Sequence, residues 1–119
     1  MNTKASRLVV EREKDVTRVG FLDRNILDEA SIQQIGEEIT QIIEAAPNPK
    51  IVLNFASVEH LSSAALGALI TINNKVRQHG GQLRLSNIDP QIYEVFVITK
   101  LNKLFQIHDD LAKAVLSFK

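Results

Sequence analysis

The sequence predicts a single α/β domain in which helices pack on a mixed, mostly parallel sheet, with elements in the order β-β-α-β-α-β-α-β-α. Three observations carry this reading. Short runs of β-branched and apolar residues alternate with segments of helical period; prolines, glycines and capping side chains mark the joins; and 119 residues suffice for one core, since a chain of that size removes about two-thirds of its unfolded surface from water. The domain covers 1–119, with its ordered part from about Leu8 to Phe118.

The first elements are strands. Leu8-Val9-Val10 leads through a polar turn, Glu11 to Asp15, into Val16, Thr17, Val19 and Phe21, the pattern of a hairpin. Ile32, Ile35, Ile39, Ile42 and Ile43 then recur at helical spacing opposite a glutamine- and glutamate-rich face, which predicts a helix from about Ser31 to Ala46. Pro47-Asn48-Pro49 ends it, because proline cannot continue the hydrogen-bond ladder and disfavours α conformation in its predecessor. Ile51-Val52-Leu53-Asn54-Phe55 reads as a central strand covered on both faces. A second helix from about Ser63 to His79 stops at Gly80-Gly81, with Lys75, Arg77 and His79 complementing the negative end of its dipole. Gln82 to Ser86 is the next strand. Asp89-Pro90 supplies a cap and a first-turn proline for a third helix carrying Ile92, Tyr93, Phe96 and Val97. Leu104 to Ile107 is expected as the last strand, and Asp109-Asp110 opens a final helix with Leu111, Val115 and Leu116 inward.

Composition excludes several classes of function. Fourteen basic and fourteen acidic residues cancel, so no long-range field gathers nucleic acid or an anionic membrane. No cysteine is present, which removes disulfides, thiolate metal sites and a cysteine nucleophile. Residues Met1 to Lys14 contain no signal-peptide core, and the longest apolar run, Ala64 to Ile70, is far shorter than the roughly 20 residues of a spanning helix. A cytoplasmic protein without membrane insertion is the expectation. His60, His79 and His108 are expected in three separate loops without metal-ligand spacing, and neither a nucleotide-binding glycine motif nor a hydrolase elbow occurs. No cofactor, metal or catalytic residue is expected.

The informative stretch is Val58 to Ile70. It leaves a central strand, turns, and begins a helix with two serines ahead of small and apolar residues. In open α/β sheets, ligands bind beside the carboxyl ends of strands and the helix that follows. A phosphoryl group on either serine would meet free N–H groups and the positive dipole end. Serine is equally a preferred helix cap, so Ser62 or Ser63 has a structural use as well. Ala64, Ala65, Leu66, Gly67, Ala68, Leu69, Ile70 and Ile72 circle the helix axis, more apolar surface than one core-facing stripe needs, which fits either a face exposed for a partner or a helix buried all round. Asp23 and Asp28 precede the first helix and fit either turn and cap positions or partner contacts.

This order of elements, with Ile51-Val52-Leu53-Asn54-Phe55, Leu61-Ser62-Ser63-Ala64-Ala65-Leu66-Gly67 and the closing Gly80-Gly81, resembles the STAS domain, in particular the bacterial anti-sigma factor antagonists. Gly20-Phe21-Leu22-Asp23 resembles the family's Gly-x-Leu-Asp at the end of its second strand, and Asn87-Ile88-Asp89-Pro90 falls at its strand-to-helix turn. The resemblance implies a non-enzymatic partner switch. The unmodified antagonist binds an anti-sigma factor that is also a serine kinase, phosphorylation at the start of the second helix dissolves the complex, and a phosphatase restores it. The family motif reads Asp-Ser-Ser/Thr-Gly-Leu-Gly. With Leu66-Gly67 as anchor, the acceptor is Ser63, the aspartate position is Ser62, which becomes a second acceptor candidate, the following hydroxyl is Ala64, and the first glycine is Ala65. The docking surface implied comprises Ser62, Ala64, Leu66, Gly67, Ile70 and Asn74 with Asp23 and Asn25 in the adjacent loop. Two other readings remain: a STAS docking subunit of a signalling scaffold or lipid-transport complex that is never phosphorylated, and a small-molecule or nucleotide sensor using the strand-end cleft.

Overall fold

A computed structural model describes residues 7–118. β1 (Leu8–Glu13) and β2 (Val16–Phe21) form the antiparallel hairpin. After a two-residue strand, β3 (Asn25–Ile26), come α1 (Glu29–Glu44), β4 (Lys50–Asn54), a second two-residue strand, β5 (His60–Leu61), and α2 (Ser63–Gln78). The chain continues through β6 (Gln82–Ser86), α3 (Pro90–Ile98), a 3-10 turn at Leu101–Lys103, β7 (Gln106–His108) and α4 (Leu111–Leu116). The main sheet has the order β1-β2-β4-β6-β7, and every pairing after the hairpin is parallel. β3 and β5, too short to be read from period, pair with each other as a separate parallel ribbon.

Alternation along the strands divides the core in two. Val19, Phe21, Ile51, Leu53, Leu83 and Leu85 face the inner sides of α1, α2 and α3, while Val16 and Val52 lie on the opposite face under Ala114 of α4. Coverage on both sides explains why Ile51, Val52 and Leu53 are all fully buried, as a continuous apolar run in a parallel strand requires.

Several details differ from expectation, among them the end of β1, which runs on to Glu13 instead of turning at Glu11. α1 starts at Glu29 rather than Ser31, because the Asp28 carboxylate accepts the Ser31 N–H at 3.0 Å and the Ser31 hydroxyl at 2.8 Å, making Asp28 the cap. Those bonds hold the Asp28 carboxyl below the usual carboxylate range. The last strand is Gln106–His108 rather than 104–107; Leu104 and Phe105 still belong to the turn, where Phe105 packs edge-on against Phe96 with centroids 5.9 Å apart. Leu116 points outward at 83% exposure and Ala114 takes the inward position. Asp89 and Asp110 cap α3 and α4 as expected.

At the amino ends of the parallel strands two turns lock together. The Asn48 N–H donates to the His79 carbonyl at 3.1 Å and the Gln82 N–H to the Pro49 carbonyl at 2.8 Å. Gly80 has φ +73°, and a Cβ on Gly81 would run into the Pro49 carbonyl oxygen. The glycine pair is therefore required by close backbone approach as well as by helix termination.

Candidate docking surface at the start of the second helix

The β2–α1 loop is fastened to the segment leading into α2. Glu59 and His60 N–H groups donate to the Arg24 carbonyl at 2.7 and 3.2 Å, the Ser62 N–H donates to the Ile26 carbonyl at 3.1 Å, and β3 lies beside β5. The Ser57 hydroxyl donates to the Phe21 carbonyl. Two loops distant in sequence thus become one surface at the carboxyl ends of β2 and β4, where α2 begins. Ile26 is the buried anchor of this ribbon.

The geometry separates the two serines. Ser62 has extended backbone and its hydroxyl accepts the Ala65 N–H at 3.1 Å, so it is the cap of α2. Ser63 is the first helical residue and is exposed; no hydrogen bond engages its hydroxyl among the described residues. A group added there stands at the positive end of a 16-residue helix, in solvent rather than against the core. Ser62→Ala is expected to destabilise the fold by about 1 kcal/mol, the usual worth of such a cap, and Ser63→Ala by much less; chemical denaturation of both variants measures the difference.

The remaining positions fall on two sides of α2. Ser63, Ala64, Gly67 and Asn74 are exposed and Ile70 is half-buried, so residues 63, 67, 70 and 74 form an outward stripe. Leu66 does not belong to it. At 8% exposure its side chain lies in the core with Ala65, Leu69, Ile72 and Val76, because residues 65, 66, 69, 72 and 76 trace the stripe that faces the sheet. A Cβ added to Gly67 would meet nothing within 4 Å. The fold does not require glycine there, although glycine inside a helix costs roughly 0.5–1 kcal/mol relative to alanine. This leaves a shallow place where another chain can approach the backbone.

In the loop, Asn25 is exposed. Asp23 is engaged within the chain: both its oxygens accept from Arg7 Nη1 at 3.1 Å, and Arg7 Nε donates to Gln34 Oε1 at 3.1 Å, so the loop is tied to α1. Its role in positioning the loop is visible, whereas Leu22 and Leu27, at 61% and 53% exposure, project from the same loop into solvent. The sequence reading passed over these two leucines. Their signal was present, as apolar residues inside a short polar connection, but Ile26 in the same stretch is buried and nothing local tells the three apart. An open groove of about 530 Å³ runs on between α1 and α2, lined in part by Ile32, Gly36, Thr40, Ala68 and Thr71.

His60 and His108 lie in β5 and β7 rather than in loops; His79 caps α2, its Nδ1 2.9 Å from the Lys75 carbonyl. No group of three metal-ligating side chains converges among the described residues, and no helix among them is long and apolar enough to cross a membrane.

The sequence profile of the STAS domain matches residues 10–114. Over 96 residues the chain is 24% identical to BtrV of Bordetella bronchiseptica, named there as a candidate anti-sigma factor antagonist, covering 81% of this chain and 82% of BtrV. Its fold is similar to that of an anti-sigma-factor antagonist (STAS) domain protein from Planctomyces limnophilus, with a TM-score of 0.84, 19% identity and coverage of 92% and 96% of the two chains. It is also similar to the phosphorylated form of the Bacillus cell-fate determinant SpoIIAA, with a TM-score of 0.69, 17% identity and coverage of 92% and 96%. With the profile spanning most of the chain and the strand order, helices and loop ribbon arranged as described, this protein belongs to the STAS domain family.

Proposed function

We propose that this protein is an anti-sigma factor antagonist acting as a non-enzymatic partner switch in the cytoplasm. Unmodified, it docks on an anti-sigma factor with serine kinase activity through the outward stripe of α2 and the loop beside it, and so releases a sigma factor for transcription. Phosphorylation of Ser63 dissolves the complex, and a phosphatase regenerates the binding form. The observation that carries this reading is the division of labour at the helix start. Ser62 closes the helix, which leaves the Ser63 hydroxyl exposed and free for transfer beside Ala64 and Gly67.

The docking set consists of Ser63, Ala64, Gly67, Ile70 and Asn74, with Asn25, Leu22 and Leu27 from the loop. Ser62 and Asp23 support it from within the chain. A phosphoryl group brings about −1.5 to −2 charges into the centre of this apolar contact, where desolvation and repulsion outweigh what the helix dipole returns. The similarity to BtrV and to phosphorylated SpoIIAA supports the same assignment. The position where the family carries aspartate holds Ser62, which keeps the capping bond but not the charge. The cognate kinase is therefore expected to recognise this site without an acidic neighbour.

The test is phosphosite mapping by mass spectrometry on the protein isolated from its own cells, resting and stressed. Phosphate at Ser63 whose stoichiometry changes with condition is the expected result. Its absence under every condition overturns the switch and leaves a constitutive docking subunit of a larger assembly.

A further inference from the structure

The opposite end of the sheet, at the amino ends of the parallel strands, holds a second polar constellation that the docking surface does not use. β7 begins beside Arg84, since Gln106 is its register partner. The start of β6 therefore has no strand along its outer edge. The Gln82 N–H is directed inward to Pro49, so by alternation the Leu83 carbonyl points outward into this notch. Arg84 folds over it: Nη1 donates to the Leu83 carbonyl at 3.1 Å, Nη2 to Gln82 Oε1 at 2.9 Å, and Nε to the Ser117 hydroxyl at 2.8 Å, with the Phe118 ring 4.8 Å from the guanidinium carbon. The notch encloses about 360 Å³ and is lined also by Asn73, Arg77 and Gln106; among the described residues no carboxylate contributes to it.

Two features call for a ligand. Arg84 is only 7% exposed, yet its hydrogen bonds go to neutral oxygens and no described carboxylate pairs with it. A buried guanidinium without a counter-charge is costly, and burial alone lowers its pKa from the usual arginine value. Two of its five N–H donors also have no acceptor among the described residues. Asn73 is 6% exposed and its Nδ2 is buried with no hydrogen-bond partner, an uncommon condition in folded proteins. Arg77 follows Asn73 by one helical turn and puts a second guanidinium on the same face of α2.

We propose that this notch is a binding site for a small oxyanion, either free phosphate or the phosphate monoester of a small metabolite. It is held between Arg84 and Arg77 and accepts the Asn73 amide. The cavity exceeds the needs of phosphate alone and leaves room for an esterified group. The site lies at the end of the domain away from Ser63 and does not rest on the partner-switch reading. Occupancy supplies the missing counter-charge and stabilises the folded chain.

The experiment is thermal unfolding of the full chain against inorganic phosphate and, separately, adenosine monophosphate, with sodium chloride at matched ionic strength as reference. A saturable rise in Tm is expected, since a ligand bound only by the folded state stabilises by mass action. Arg77→Gln, at an exposed position, and Asn73→Leu are each expected to weaken the apparent affinity about tenfold, the usual range for one charge-assisted or buried hydrogen bond. Without ligand, Asn73→Leu should melt no lower than the parent, because it removes an unpaired buried donor at nearly constant volume. Tighter binding of the monophosphate identifies the ligand as an ester, and equal binding identifies phosphate itself. A rise that is merely linear in concentration, which preferential exclusion of phosphate produces unaided, overturns the proposal. So does saturable binding that Arg77→Gln leaves unchanged.

Discussion

Ser63→Glu is expected to weaken binding of the cognate anti-sigma factor by about a hundredfold or more while leaving the fold as stable as before or slightly more so. The two effects have opposite signs for one reason. A carboxylate at the first position of α2 meets the positive dipole end and gains roughly 0.3–1 kcal/mol in the free protein. In the complex the same charge lies under a partner surface without a counter-ion, where an unpaired buried charge costs about 2–5 kcal/mol or more. Titration calorimetry against the anti-sigma factor, with denaturant unfolding of the same preparation, reads both. Ser63→Ala serves as the control, since it removes the acceptor without adding charge and should bind like the parent. A Ser63→Glu variant that binds with parental affinity removes electrostatic release as the mechanism, even if Ser63 carries phosphate in cells.

Phe55→Ala should have the largest effect on stability, a loss of about 3–5 kcal/mol, as for other buried phenylalanines. Phe55 is 1% exposed at the carboxyl end of β4, with its ring 4.9 Å from that of Phe21 between centroids. Its backbone N–H donates to the Ser86 carbonyl at 2.9 Å, and the Val58 N–H returns to its carbonyl at 2.9 Å, so the turn toward α2 is built around it. Removing the ring opens a cavity beneath the loop ribbon that carries Asn25 and the start of α2. Global stability is typically only 5–15 kcal/mol, so the variant should unfold at markedly lower urea concentration and lose partner affinity with it. Phe55→Leu, which keeps most of the volume, should restore more than half of the loss. A decrease under about 1.5 kcal/mol for Phe55→Ala would mean that the surrounding loops collapse into the vacated space and that the ring does not hold the site together.

The legible part of this protein is what short-range rules govern. The isoleucine period of α1, the apolar run of β4, Asp89-Pro90 at the start of α3, Asp110 before α4 and Gly80-Gly81 after α2 each act within a few residues of themselves. Together they were enough for the α/β class and the order of the principal elements, and they single out the stretch from Val58 to Ile70 as the one that local structure alone does not explain. The misplacements arose where a nearby side chain competes with the period. Asp28 captured Ser31 and moved the start of α1, and Phe105 went to the core beside Phe96 instead of into β7.

Tertiary structure decided everything that depends on which distant segment lies alongside. Both serines satisfy capping chemistry on paper; only the fastening of Ser62 to Ile26 through β3 and β5 fixes which hydroxyl turns back to Ala65 and which faces solvent. Leu66 and Gly67 are adjacent letters, but the sheet beneath α2 buries one and leaves the other open. Leu22 and Leu27 acquire their exposure where their loop is fastened to the segment before α2, and Arg84, Arg77 and Asn73 share a notch where β7 stops short of the start of β6 beside α2. Side-chain type and local period are properties of neighbours along the chain, whereas burial and the meeting of remote groups depend on how the sheet closes, which no single segment encodes.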